Sequence, residues 1–270
     1  MMWVRRKRPR SCCGTEIGET TRLMQIWLLL VISMVAVAHE VTAQEVQCVR
    51  ERAAMVETIR AYARSHVGVL GQQGLSERVL GAMGQTQRHL FVPERSCSIA
   101  YADMPLPIGA GQTISQPFIV ALMTELAHVA PDDVVLEVGT GSGYQAAILA
   151  HLTRKVCSIE IVPRLAVAAA KTLQDLAYDN VSVRLGDGYA GWPDCGPFDA
   201  IVVTAALGQV PPPLIEQLKV GGRLVMPVGP AYSTQELTVV EKIGPGETTT
   251  RAAGFVRFVP FTRSRDQKAD

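Results

Sequence analysis

The chain has 270 residues, 48% hydrophobic and 19% charged, and its 26 Lys and Arg against 25 Asp and Glu give a formal net charge of +1. That length holds one large domain or two small ones with a sizeable core. The composition excludes a disordered or low-complexity chain, and no repeat recurs at a fixed period.

The first 43 residues differ from the rest. Arg5, Arg6, Lys7, Arg8 and Arg10 form a basic cluster, Ile26 to Ala38 is apolar apart from Ser33, and Val41-Thr42-Ala43 places small residues before Gln44. That is the layout of a secretory signal peptide. The apolar run is shorter than the roughly 20 residues that span a bilayer, so no stable membrane span is expected. A mis-assigned start, with translation from Met24, is the other reading. Beyond residue 43 the chain has 20 basic and 22 acidic side chains, a net of −2. No basic face for a nucleic-acid backbone is expected from that balance.

Four cysteines lie beyond residue 43: Cys48, Cys97, Cys157 and Cys195. Their spacing matches no zinc pattern and no metal is expected. Cys157 reads as a buried thiol in an apolar strand. A Cys48–Cys97 disulfide is open to an exported protein, but sequence alone does not pair them.

The elements follow in chain order. Glu45 to Arg64 has helical periodicity. Ser76 is an N-cap for a short helix ending near Met83. Arg88 to Gly111 is irregular, and Gln116 to Val129 is helical. From Val134 the pattern alternates: strands at Val134–Val138, Val156–Ile159, Val181–Leu185, Ala200–Thr204 and Gly222–Met226, and helices at Tyr144–Leu152, Pro163–Ala177 and Pro212–Leu218. Continuous apolar strands separated by helices predict a doubly wound, mostly parallel α/β sheet. Leu237–Glu241 and Phe255–Val259 have no helix between them and predict an antiparallel C-terminal edge. One domain is expected over residues 44–270, with a helical and irregular N-terminal extension over 44–115 and the core over 116–270.

VLEVGTGSGYQAA, Val135 to Ala147, reads as a strand, a Gly-rich turn and a helix start. Gly139, Gly141 and Gly143 let backbone pass close to a ligand, and the turn is expected to free amides at the helix start. Glu160 ends the next strand, where an acid faces ribose hydroxyls in such sheets. Tyr144 breaks the dinucleotide fingerprint. Glu137 suits an ammonium better than a pyrophosphate, which favours S-adenosylmethionine. Asp187, in LGDG, ends the third strand and is expected to accept from the adenine amino group. Helix caps or solvated loop acids are the bland reading of these three. Thr204, at another strand end, is a further candidate for the cofactor pocket. Trp192 and Phe198 read as core, and His66, His89, His128 and His151 as ordinary surface or helix residues.

RHLFVP (Arg88 to Pro93), LPIGAGQTISQP (Leu106 to Pro117), LEVGTGSGYQAAILA, GDGYAGW, PFDAIVVTAA, GGRLVMPVG and VRFVPF (Val256 to Phe261) together resemble the protein-L-isoaspartate (D-aspartate) O-methyltransferase family. The match runs from about Ser76 to Phe261, and the GQTISQP block is its most specific part. No Asn-Pro-Pro-Tyr signature of nucleic-acid amino-methyltransferases occurs. The resemblance implies a Rossmann-like class I methyltransferase fold. It implies methyl transfer from S-adenosylmethionine to the α-carboxylate of L-isoaspartyl and D-aspartyl residues in damaged proteins, which starts their repair through a succinimide. It implies Ser115 as the active-site residue and cofactor binding by Glu137, Gly139, Gly141, Glu160, Asp187 and Gly188. The neighbours Gln112, Thr113 and Ile114 are candidate substrate residues, and Thr140, Gly143 and Thr204 further candidates for the cofactor, on their place in the loops and at a strand end. A monomer in the cytoplasm is the family habit, and the cytosolic supply of the cofactor points the same way. The signal-like segment keeps an exported, periplasmic alternative open. Leu207 and Gly208 depart from the common pattern in a loop expected at the substrate mouth, as does Tyr189 where Trp is frequent.

On residues alone, Ser115 before Gln-Pro and an apolar run is equally a helix N-cap. VRFVPF alternates as a packed strand does, although the resemblance suggests that its backbone pairs with the substrate peptide. A methyltransferase for a small carboxylic acid or RNA, or a cofactor-binding protein without turnover, shares the glycine core but does not need the GQTISQP block.

Overall fold

Runs of Val, Ile and Leu between residues 134 and 240 set the centre of the fold, because β-branched side chains pack well on a pleated surface. The structure is a computed structural model and describes residues 43–70, 74–93 and 96–263. The signal-like segment, except Ala43, lies outside them. The chain divides into two units, Met1–Gln47 and Cys48–Asp270.

Residues 43–65 are helical, α1. Then come α2 (Val67–Leu70), α3 (Glu77–Gln85), α4 (Cys97–Ala100), the short strands β1 (Leu106–Gly109) and β2 (Gln112–Ile114), and α5 (Pro117–Ala127). The core follows as β3 (Val134–Val138), α6 (Tyr144–Ala150), β4 (Lys155–Glu160), α7 (Pro163–Asp175), β5 (Val181–Leu185), β6 (Phe198–Val203), α8 (Pro212–Gln217), β7 (Leu218–Val228), β8 (Gln235–Gly244) and β9 (Glu247–Val256). The main sheet has the order β5-β4-β3-β6-β7-β8-β9, parallel from β5 to β7 and antiparallel beyond. The predicted mostly parallel sheet with an antiparallel edge is therefore present. Alternation inside the apolar strands feeds two cores. Val135, Val156, Val202 and Val225 face α3, α5 and α6, while Leu136, Ile159, Ile201 and Leu224 face Leu214 of α8 and Leu218.

Two expectations shift. The last strand is Glu247–Val256, not Phe255–Val259. Its Thr-rich first half is exposed, and an edge strand needs no continuous apolar run. The turn at Gly244-Pro245-Gly246 closes the hairpin, with Gly246 at φ +77°. Residues read as irregular before Gly111 contain β1, which pairs antiparallel with β2. Three successive left-handed residues, Gly109, Ala110 and Gly111, make that turn.

Helix α5 begins at Pro117, and Ser115 is not its N-cap. Gln116 holds the cap position without a side-chain bond. Asp103 supplies the acceptor instead: its Oδ1 takes the Phe118 amide at 2.8 Å and its Oδ2 takes Gln116 Nε2 at 2.8 Å. A carboxylate there also complements the helix dipole. Asp103→Ala is expected to lower unfolding free energy by about 1–2 kcal/mol, read from denaturant midpoints.

Candidate active site

Chain order reverses direction at β3, which lies between β4 and β6, so its carboxyl end opens a crevice. The glycine loop fills the floor of that crevice. Gly139 and Gly143 hold φ near +98° and +90°. A Cβ on Gly139 would stand 2.5 Å from Thr204 Oγ1, so the position admits no side chain without displacing Thr204.

The loop amides are engaged within the protein, contrary to the expectation that they are free. Gly139 and Thr140 donate to the Ile159 carbonyl, at 2.8 and 3.2 Å. Gly141 donates to Glu160 Oε2 at 2.7 Å, and Gly143 to the Thr140 carbonyl at 2.8 Å. Glu160 Oε1 accepts the Val162 amide at 2.9 Å. A pyrophosphate needs such donors free. The crevice therefore suits a ligand without phosphate, and its acidic wall suits a cation with hydroxyls. S-adenosylmethionine fits both conditions.

One cleft encloses about 550 Å³ of empty space, open solvent at its mouth included. Gln112, Thr113, Gly139, Gly141, Glu160, Gly186, Gly188 and Thr204 line it, closed by Val259 to Thr262. A second, of about 950 Å³, is lined by Ser115 and Gln116, by Thr234 and by Phe255 to Val259. The two share Thr113, Thr204 and Val259. Of the residues read as binding substrate, Thr113 lines both cavities and Gln112 lines only the cleft of the glycine loop. Ile114 points into the core instead. VRFVPF leaves the sheet after Val256 and runs across both cavities, so only its start is strand.

Four cofactor candidates lie off the cleft wall. Glu137 is fully buried beneath the loop, where Ser158 donates to it and Thr140 bonds Ser158 in turn. Glu137 is not on the cleft wall, because a β-strand alternates and Val138 takes the facing position, and Thr140 is buried against Ser158. Gly143 packs against Leu173. Asp187 accepts from the Tyr189 amide at 3.0 Å and from Arg263 Nε at 2.9 Å, and Arg263 stacks on the Tyr189 ring. Its neighbours Gly186 and Gly188 take the wall, and a Cβ on Gly188 would collide with Val138 at 2.2 Å.

Sequence reasoning missed Arg88. It is fully buried, and it donates to the carbonyls of Ala100 at 2.8 Å and Ser115 at 2.8 Å while lying over the Tyr144 ring. Burial lowers its pKa. A lone Arg in RHLFVP was the available signal. Ser158 was missed as well, although a hydroxyl inside KVCSIE had to find a partner.

Burial pushes the Glu137 carboxyl up to about 8; Ser158 opposes this and the Glu160 charge adds to it. An unfolded Glu titrates near 4.3. Between about pH 4.3 and pH 8 the folded protein keeps a proton that the unfolded chain has released, so stability falls as pH rises through that window. Glu137→Gln removes this dependence. Its stability relative to the parent is expected to rise by on the order of 5 kcal/mol from about pH 4 to pH 9 in cofactor-free protein, read by denaturant titration. A difference that stays constant with pH contradicts the assignment.

Residues 64–266 match the family model for protein-L-isoaspartate(D-aspartate) O-methyltransferase. A Polaromonas sp. protein named protein-L-isoaspartate O-methyltransferase 2 is 56% identical over 211 residues, covering 78% of this chain and all of the relative. A Syntrophobacter fumaroxidans protein of the same name is 50% identical over 236 residues, covering 87% of this chain and 96% of the relative. Among solved structures, a candidate Plasmodium falciparum protein-L-isoaspartate O-methyltransferase in complex with S-adenosyl-L-homocysteine aligns with TM-score 0.65 and 25% identity, covering 78% of this chain and 98% of the other. With a family model matched over most of its length and relatives that it covers almost end to end, the chain belongs to the protein-L-isoaspartate(D-aspartate) O-methyltransferase family.

Proposed function

We propose that this protein transfers a methyl group from S-adenosylmethionine to the α-carboxylate of L-isoaspartyl and D-aspartyl residues in damaged proteins. The carrying observation is the pair of cavities that meet at Thr113, Thr204 and Val259. One has the glycine loop and Glu160; the other has Ser115 on an uncharged loop. When bound, the cofactor supplies an activated methyl group on a sulfonium.

A substrate carboxylate with a pKa near 4 is ionised at neutral pH, so the residues need not remove a proton. Their task is alignment, which can account for about 7–11 kcal/mol of a barrier. Glu160, held by two backbone amides, orients ribose hydroxyls. The Ser115 hydroxyl hydrogen-bonds the acceptor carboxylate from the second cavity. Thr113 stands at the junction of the cavities, and Val259 to Thr262 cover it from water. A Lys or Arg at Ser115 would hold the carboxylate tightly and blunt its nucleophilicity; an acid would repel it. Arg88 reaches this loop from beneath through the Ser115 carbonyl, so its charge stays out of the cavity.

Ser115→Ala removes a hydrogen bond to a charged group. Turnover is expected to fall roughly 10- to 150-fold while Tm stays within about 2 °C, because Asp103 caps the helix. A large loss of Tm with activity retained per folded molecule returns Ser115 to a structural role. The activity itself is tested with labelled S-adenosylmethionine, an isoaspartyl peptide and its normal aspartyl twin. Label is expected on the isoaspartyl peptide alone, and equal labelling or none contradicts the proposal.

A further inference from the structure

The four cysteines beyond residue 43 fall into two pairs. Cys48 on α1 stands 5.0 Å, Cα to Cα, from Cys97 at the start of α4. Cys157 in β4 stands 6.6 Å from Cys195 in the segment before β6. Both spacings lie within the roughly 4.4–6.8 Å that a disulfide bridges. Cys157, expected to be a free buried thiol, has a partner. The pairs join positions 49 and 38 residues apart, so neither follows from local sequence proximity.

A second observation is independent of the first. The chain begins with a basic cluster, an apolar run too short to span a bilayer, and a small-residue site before Gln44. Thiols stay reduced in the cytosol and pair in oxidising compartments. We infer that residues 1–43 are an export signal removed on maturation, and that Cys48–Cys97 and Cys157–Cys195 are structural disulfides of an enzyme working outside the cytosol. The cytoplasmic expectation rests on family habit and cofactor supply; the two cysteine pairs weigh against it. Each bond forms by exchange with a disulfide oxidoreductase. Two cysteine thiols lose two protons and two electrons, and the oxidant's disulfide becomes a dithiol.

Metal binding is the competing use of the first pair. Cys48, His89 and Cys97 place ligand atoms within 4.8 Å of one another. Zinc takes thiolates and imidazole, but a structural site closes with four ligands. His89 Nδ1 is already bonded to the Tyr101 hydroxyl at 2.9 Å. Among the described residues, no third ligand accompanies Cys157 and Cys195. Disulfide formation accounts for both pairs with one chemistry, and a metal accounts for one.

The bonds fasten parts of the site. Cys97 opens the segment that leads to Asp103 and the β1–β2 hairpin. Cys157 precedes Ser158, the partner of Glu137, and lies three residues before Glu160. Its bond ties this strand to the loop beside Trp192.

The test uses the full chain expressed in a bacterium with a periplasm, with thiols trapped by alkylation at lysis. Expected are an N-terminus at Gln44, no trapped thiol, and a mass about 4 Da below the reduced polypeptide. Peptide maps should link Cys48 to Cys97 and Cys157 to Cys195, and a reductant should lower Tm by roughly 4–15 °C. Trapped thiol at any of the four positions, crossed linkage, a zinc ion retained by Cys48 and Cys97, or an N-terminus at Met1 or Met24 overturns the inference. The paired variants C48A/C97A and C157A/C195A should each retain the other bond; if either fails to fold, the parent's peptide map decides. These readouts are independent of methyl transfer, so they stand whether or not the peptide assay succeeds.

Discussion

The end of β4 holds the site together through backbone donors that have nowhere else to go. Gly139, Thr140 and Gly141 turn sharply out of β3, Thr140 buried and the two glycines on the cleft wall, and their amides need acceptors. A buried donor without a partner costs about 1–3 kcal/mol. The Ile159 carbonyl and the Glu160 carboxylate take these amides at one point. The loop is therefore ordered without help from a ligand, and the anion nest that other glycine loops offer is closed. Ligand preference follows from that single arrangement: what remains facing the crevice is the oxygen surface of Glu160.

Charge is then controlled by burial rather than by pairing. Glu137 is close enough to Glu160 for the Glu160 charge to disfavour ionisation of Glu137. Sunk below the loop, Glu137 remains a neutral acid at neutral pH, and the Glu160 carboxylate on the wall has no second charge beneath it. Its bond to Ser158, which bonds Thr140, braces the turn from below. Arg88 obeys the same logic with opposite sign. Its guanidinium is spent on the carbonyls of Ala100 and Ser115 and on the Tyr144 face. It fixes the loop that carries Ser115 without presenting a cation to the acceptor cavity.

Much of this was legible along the chain. β5 spans the predicted residues, β3 does as well, and Pro163 opens α7 as its fixed φ suggests. These elements are buried and strongly patterned, so pattern and packing agree. The glycine loop, Glu160, Gly188 and Thr204 come together in one cleft, while Ser115 lies in the cavity beside it. What escaped was the direction of side chains. Glu137 and Val138 are adjacent in a strand, and pattern does not say which one faces the cleft. Asp103 and Arg88 lie in irregular sequence, and their roles depend on contacts 15 and 27 residues away. The exposed half of β9 carries no apolar signal at all.

The junction of the two cavities shows why one domain suffices for a two-substrate site. Thr113, Thr204 and Val259 come from β2, from the end of β6 and from the segment after β9. Only the last must travel back from the sheet edge, and two attachments return it. Gln235 Oε1 accepts the Phe258 amide at 2.8 Å, from a side chain that is itself buried. Ala206 then exchanges bonds with Val259 and Phe261, at 2.9 and 2.8 Å, extending β6 by a short parallel bridge. The segment is a roof held by its backbone bonds and by Phe261, which packs into the core. Backbone anchoring also leaves the Phe255 and Arg257 side chains exposed where the segment lines the second cavity. The segment is thus fixed in its backbone over the junction and open in its side chains at the second cavity.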